Sequence, residues 1–196
     1  MQNSHVMKTE AHADFGLATE EYEAIVASAA SADSNGNIPN RHIAHAAILT
    51  KHIIRKSESD VKIITGSLPE LFFNQIRSEL ECGLKRGIAA KIVFVNKANV
   101  CRELSGLLQK YRNLQAFEIP DRIRSTVKIH VAHFCVSDKK RYRLEEIHED
   151  KDFTKDPSIR AVANFNQPEI SQDLNAMFET LASISQPVNF HKDVSK

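Results

Sequence analysis

The sequence predicts an α/β fold, a mixed β-sheet flanked by helices on both faces with a helical N-terminal arm. Three observations carry this. Between residues 61 and 119, short β-branched or apolar runs alternate with segments of 3.6-residue apolar period. That is the pattern of βαβ units around a parallel core. From 127 to 165 the strand-like runs have no typical crossover helix between them. Such runs call for antiparallel or mixed pairing at one side of the sheet. The chain of 196 residues is 42% hydrophobic and 26% charged, enough for one ordinary core and unlike a disordered chain.

The elements follow in order. Residues 17–31 read as a helix, with Thr19 as cap and Glu20 and Glu21 in the first turn. Residues 33–39 carry strong turn chemistry, Asp-Ser-Asn-Gly-Asn-Ile-Pro, and divide an acidic arm (1–39) from the body (40–186). Asn40 is placed to cap a helix over 41–57, where Ile43, Ala46, Ala47, Leu49, Ile53 and Ile54 share one side. A strand at 61–65 precedes a helix at 69–86, opened by Pro69 and stopped by Gly87. Strand 90–96 is almost wholly apolar, so it belongs in the sheet interior. A helix at 98–110 and strands at 114–119, 127–137, 140–146 and 161–165 follow. Pro168 opens a last amphipathic helix with Leu174, Met177, Phe178 and Leu181, and 187–196 form a polar tail.

The formal charge is +1, so no global basic excess announces a nucleic-acid or membrane-surface protein. The distribution is uneven. Residues 1–39 hold one lysine and six carboxylates, a balance of −5, which leaves the remainder at +6. No apolar run approaches the ~20 residues that span a bilayer, and no charged-then-apolar leader is visible. Three scattered cysteines (Cys82, Cys101, Cys135) make neither a disulfide framework nor a Cys-x-x-Cys pair. A cytoplasmic setting without membrane contact is expected.

Three segments resemble the phospholipase D-like superfamily. Residues 83–95, Gly-Leu-Lys-Arg-Gly-Ile-Ala-Ala-Lys-Ile-Val-Phe-Val, are similar to its helix end and following buried strand. Val131-Ala-His133-Phe-Cys-Val-Ser-Asp138 sits where that family keeps His-x-Lys-x-x-x-x-Asp. Ala161-Val162-Ala163-Asn164-Phe165-Asn166 is similar to its closing Gly-Ser-x-Asn run. The resemblance spans roughly 40–185 and implies a phospholipase D-like mixed sheet. It implies chemistry without cofactor or metal, in which the signature His attacks phosphorus. A second copy supplies the acid, while Lys and Asn hold the phosphoryl oxygens. In that register the nucleophile position is Val131, which cannot attack. His133 takes the Lys position, Asp138 and Asn164 are retained, and Ala161 and Val162 replace Gly and Ser. The resemblance therefore implies a degenerate, non-catalytic member.

Each further candidate has a plainer alternative. His130 precedes the nucleophile position and reaches the His133 face only through a one-residue bulge. His133 reads either as a phosphate ligand or as a semi-buried strand histidine bonded to a neighbour. Cys135 shares its face, as a nucleophile partner or as a buried cysteine. Lys139, Lys140, Arg141 and Arg143 form the densest basic cluster, with Arg141 and Arg143 on one face. They suit a nucleic-acid backbone unless Glu145, Glu146, Glu149 and Asp150 neutralise them. Arg141 and Arg143 make up the candidate ligand-binding set with His133, Asn164 and Asn166. His42 and His45, at i and i+3, have metal spacing, but no further ligand completes a set, and with His52 they read as a solvated helix border. Thr65-Gly66-Ser67 reads as a strand-to-helix turn or an anion site.

The expectation is a homodimeric binding or regulatory module for a nucleic acid or another phosphodiester, in a bacterial restriction or defence setting. The acidic arm offers a surface for a protein partner or for the basic body itself. The alternatives are an active metal-independent phosphodiesterase or nuclease using His133 or His130, with Asp138 and Asn164, and a purely structural interaction module.

Overall fold

The computed structural model describes residues 19–66, 68–96, 101–126, 132–147, 156 and 158–188. The elements are α1 (Thr19–Ser31), β1 (Ile38–His42), α2 (Ile43–Lys56), β2 (Asp60–Thr65), α3 (Glu70–Lys85), β3 (Ala89–Phe94) and α4 (Arg102–Lys110). Then come β4 (Leu114–Glu118), α5 (Asp121–Thr126), β5 (Phe134–Ser137), β6 (Arg141–Glu145), β7 (Ser158–Asn164), α6 (Pro168–Ile184) and β8 (Gln186–Pro187). All eight strands form one mixed sheet in the order β1-β7-β6-β5-β2-β3-β4-β8. The β2-β3-β4 core is parallel, and every other pairing is antiparallel.

The α3–β3 joint shows how sequence sets local structure. Helix α3 ends at Arg86, and Gly87 follows at φ 93°, a left-handed conformation that favours glycine. The Arg86 guanidinium turns back and donates to the carbonyls of Ile54 and Arg55 at 3.3 Å and Ser57 at 3.4 Å. Those carbonyls lie in and just beyond the last turn of α2, so one side chain satisfies acceptors that a helix end leaves open.

Two apolar layers enclose the sheet. On one face α1 to α4 bring Tyr22, Val26, Leu49, Ile53, Phe73, Ile76, Leu80, Leu104 and Leu107 over Val61, Ile63, Ile92 and Phe94. On the other, Leu174, Phe178 and Leu181 of α6 cover Ile64, Val93, Val136 and Tyr142. Lys62 is buried under α6, where Asp60 (3.1 Å) and Glu179 (2.9 Å) neutralise it and Asn175 accepts from it. A buried charge persists only when paired in this way.

Several expectations are corrected. Residues 38–42 are a strand, so the turn stops earlier than expected. Pro39 is tolerated because β1 lies at the sheet edge. The helix starts at Ile43, and its cap is His42, whose Nδ1 accepts from the Ala44 N–H, whereas Asn40 lies within β1. The 39/40 boundary thus falls inside a strand. The expected strand at 127–137 is formed over Phe134–Ser137. Residues 127–131, with His130 and Val131, lie outside the described residues, as does the tail from 189. Strand β7 begins at Ser158 rather than 161, and α5 and β8 were not expected.

Of the expected solvated histidine border, only His42 is exposed. His45 is buried with its ring stacked on Tyr22, centroids 3.9 Å apart, and His52 is buried too. Burial depresses the His52 pKa, as does Arg55 beside it. Helix α1 thereby joins the core, and the Tyr22 hydroxyl donates to the Pro39 carbonyl at 2.8 Å. Acidic groups of residues 19–39 meet basic groups of the body within one chain. Asp33 pairs with Lys140 (3.0 Å) and Arg141 (3.3 Å), and Glu23 with Lys51 (3.5 Å). The Lys140 contact leads those that hold the Asp33 carboxyl below its ordinary range.

Candidate functional site

Side chains alternate across a strand, so register assigns each residue of the signature region to a face. One cross-strand row joins Phe134, Leu144, Val162 and Pro39 across β5, β6, β7 and β1. Two residues nearer the rim, Glu146 and Arg160 meet through a backbone bond from the Glu146 N–H to the Arg160 carbonyl, 2.7 Å. Arg41 follows on the β1 side, where the β1–β7 register shifts between Asn40 and His42. All of these except Phe134 line a cavity of about 530 Å³, which Asn40, Ala132, Ala161, Glu145 and Ile147 also border. Ala132 therefore shares one cavity with Ala161 and Val162. Of the cavity's polar lining residues, Arg41, Arg160 and Glu146 lie beyond the apolar row, whereas the Glu145 carboxylate and the Asn40 amide are buried against Arg143 on the other face; no lining residue carries an imidazole, hydroxyl or thiol.

His133 turns away from Ala132. Its Nε2 accepts from the Gly66 N–H at 3.0 Å, and its Nδ1 lies 3.9 Å from Glu145 Oε1. An acceptor nitrogen carries no proton, so the neutral ring holds its hydrogen on Nδ1, towards the carboxylate. Gly66 permits this approach, because a Cβ there would stand 3.0 Å from His133 Nε2 and 3.1 Å from Asn96 Nδ2. From Glu145 the chain of contacts continues inward. Arg143 donates through Nη2 to Glu145 Oε2 (2.6 Å) and through Nε to Asn40 Oδ1 (2.8 Å), all buried. Cys135, also buried, has its thiol pushed up to about 12 by desolvation, so it is no thiolate nucleophile at neutral pH.

The remaining sequence candidates lie elsewhere. Asp138 is at the other end of β5. It accepts from the backbone N–H groups of Glu58 (3.0 Å), Ser59 (2.9 Å) and Asp60 (3.1 Å), and pairs with Arg141 (2.8 Å). Burial would raise its pKa, but the amide donors outweigh that and lower it. Arg141, 2% exposed, is surrounded by Asp138, Asp33 and Glu58. Asn164 lies three residues beyond Ala161 on β7. It donates to the Asn35 carbonyl (2.8 Å) and Asn37 Oδ1 (3.0 Å), and accepts from the Asn166 N–H (2.8 Å). His133, Asp138 and Asn164 thus do not converge. Arg141 and Arg143 share a face as expected, but that face is internal. In the strand-to-helix turn, Gly66 gives its N–H to His133, and Ser67 lies outside the described residues.

Sequence reasoning missed Arg41 and Arg160. The signal was period-two alternation in Ile-Pro-Asn-Arg-His (38–42) and Ser-Ile-Arg-Ala-Val-Ala-Asn (158–164), obscured by Pro39 in the first and by the charged stretch before the second.

No protein-family model and no curated protein matches the chain. Solved structures do. Nuc from Salmonella typhimurium, a phospholipase D family member, superposes with TM-score 0.58 at 14% identity, over 79% of this chain and 99% of that one. NucT from Helicobacter pylori gives 0.60 at 14% identity, over 78% and 99%. TrmBL2, an archaeal chromatin protein with its own mode of DNA binding, gives 0.57 at 11% identity, over 86% and 62%. With the mixed sheet and its two helical layers, these likenesses establish that the chain has the fold of the phospholipase D family.

Proposed function

We propose that the chain is a degenerate, non-catalytic phospholipase D-like domain that binds nucleic acid or another phosphodiester at the cavity over β6, β7 and β1. It works as a homodimeric binding or regulatory module in the cytoplasm, in a restriction or defence setting. The observation that carries the reading is His133. Its only proton-accepting nitrogen already takes the Gly66 N–H, at 3.0 Å, and its ring is directed away from the cavity. A histidine so engaged neither attacks phosphorus nor takes a proton from water without breaking an internal bond. The fold likeness to Nuc, NucT and a DNA-binding chromatin protein supports a nucleic-acid ligand.

The test is hydrolysis of DNA, RNA and a generic phosphodiester in the presence of a chelator. The reading expects no turnover by wild type. Turnover that disappears in both His133→Ala and His130→Ala would overturn it in favour of an active phosphodiesterase.

A further inference from the structure

We propose that the cavity takes a single nucleotide unit of an unpaired strand. Its base lies on the row Pro39–Val162–Leu144, and its phosphate lies on Arg41 and Arg160. This deepens the nucleic-acid reading above and rests on it. The floor is apolar and incompletely covered. Helix α6 packs over β2, β3, β5 and β6, and leaves Leu144, Val162 and Pro39 only half-buried. Ile147 stands beside them at 57% exposure. The adjoining row holds two guanidiniums and one carboxylate. A phosphate accepts charge-assisted hydrogen bonds from guanidiniums. Among the described residues Arg160 pairs with Glu146 Oε2, at 3.9 Å with both side chains largely exposed, an ion pair of little worth in water.

The spacing selects the ligand. Rows two residues apart along a strand are separated by about 6.6 Å, comparable to the distance between a nucleobase and its own phosphate. An inorganic anion would use the arginine row and leave the floor bare. A duplex keeps its bases stacked within and cannot lay one on the floor without a flipping cost of about a few kcal/mol. The cavity of about 530 Å³ is within the size range of small-ligand sites.

Fluorescence anisotropy with a short labelled single-stranded DNA tests this, using the same sequence as a blunt duplex, thymidine monophosphate and inorganic phosphate as competitors. The single strand should bind about tenfold tighter than the duplex, the scale of one base-stacking contact. Thymidine monophosphate should compete and inorganic phosphate should not at equal concentration. Arg160→Gln and Ile147→Ser, both at exposed positions, should each weaken strand binding. Equal affinity for strand and duplex overturns the proposal while the nucleic-acid reading stands. So does strand-selective binding that neither substitution alters. Failure to bind either nucleic acid overturns both.

Discussion

Asp138, expected from the sequence as a site residue, makes architectural contacts. One carboxylate accepts from three successive backbone N–H groups and anchors the turn that feeds β2. Asp138→Ala should lower stability by about 2 kcal/mol, because it removes the shared acceptor of three backbone N–H groups and one carboxylate from the buried Arg141, measurable by denaturant unfolding. Its folded pKa is depressed, so its contribution is complete above the unfolded value of 3.8 and is lost as pH falls through the folded value. The variant should therefore show a shallower acid limb. His52 behaves alike at a higher pH. Its folded pKa lies below 6.5, so the unfolded chain takes up its proton first, and stability falls as pH drops below 6.5. His52→Leu should flatten the stability profile between about pH 5 and 7; an unchanged slope would show that His52 is not its source. The face of His133 was legible from strand alternation alone. Its partner Gly66 was not, because that bond joins residues 67 apart in the chain.

At the scale of elements, α1 is part of the fold and not an appendage. Tyr22 combines a stacked contact on His45, a bond to the Pro39 carbonyl and full burial. Tyr22→Ala should cost about 3–5 kcal/mol, as other buried aromatic truncations do, whereas Tyr22→Phe should lose only about 1 kcal/mol for the hydroxyl bond. Thermal unfolding of the pair separates packing from hydrogen bonding. The βαβα core was readable because β-branched runs, Pro69 and Gly87 mark its joints, and β2, α3, β3 and β4 fall within two residues of their expected bounds, whereas α4 begins at Arg102 rather than 98. Strand β1 was not. Pro39, Arg41 and His42 lack strand propensity, and β1 exists because β7 offers it an antiparallel partner. The short β8 likewise exists only by pairing with β4.

At the scale of the molecule, the near-neutral total conceals complementary parts. Residues of the acidic arm pair with Lys51, Lys140 and Arg141 of the same chain. The two arginines expected to face a ligand, Arg141 and Arg143, are buried, and the cations that line the cavity are Arg41 and Arg160 instead. Sequence spacing could not name the side chains that line the cavity, since those depend on which strands become neighbours. Homodimer pairing is part of the proposed function, so light scattering at micromolar concentration should give twice the 22.1 kDa chain mass, and a monomer alone would refute pairing. The central claim is that the signature histidine serves architecture while the opposite face of the sheet binds the ligand. A crystal structure with a short single-stranded oligonucleotide tests it most directly. The account predicts a phosphate beside Arg41 and Arg160, with His133 Nε2 still accepting from Gly66. A phosphate held by His133, with the Gly66 bond broken, would contradict it.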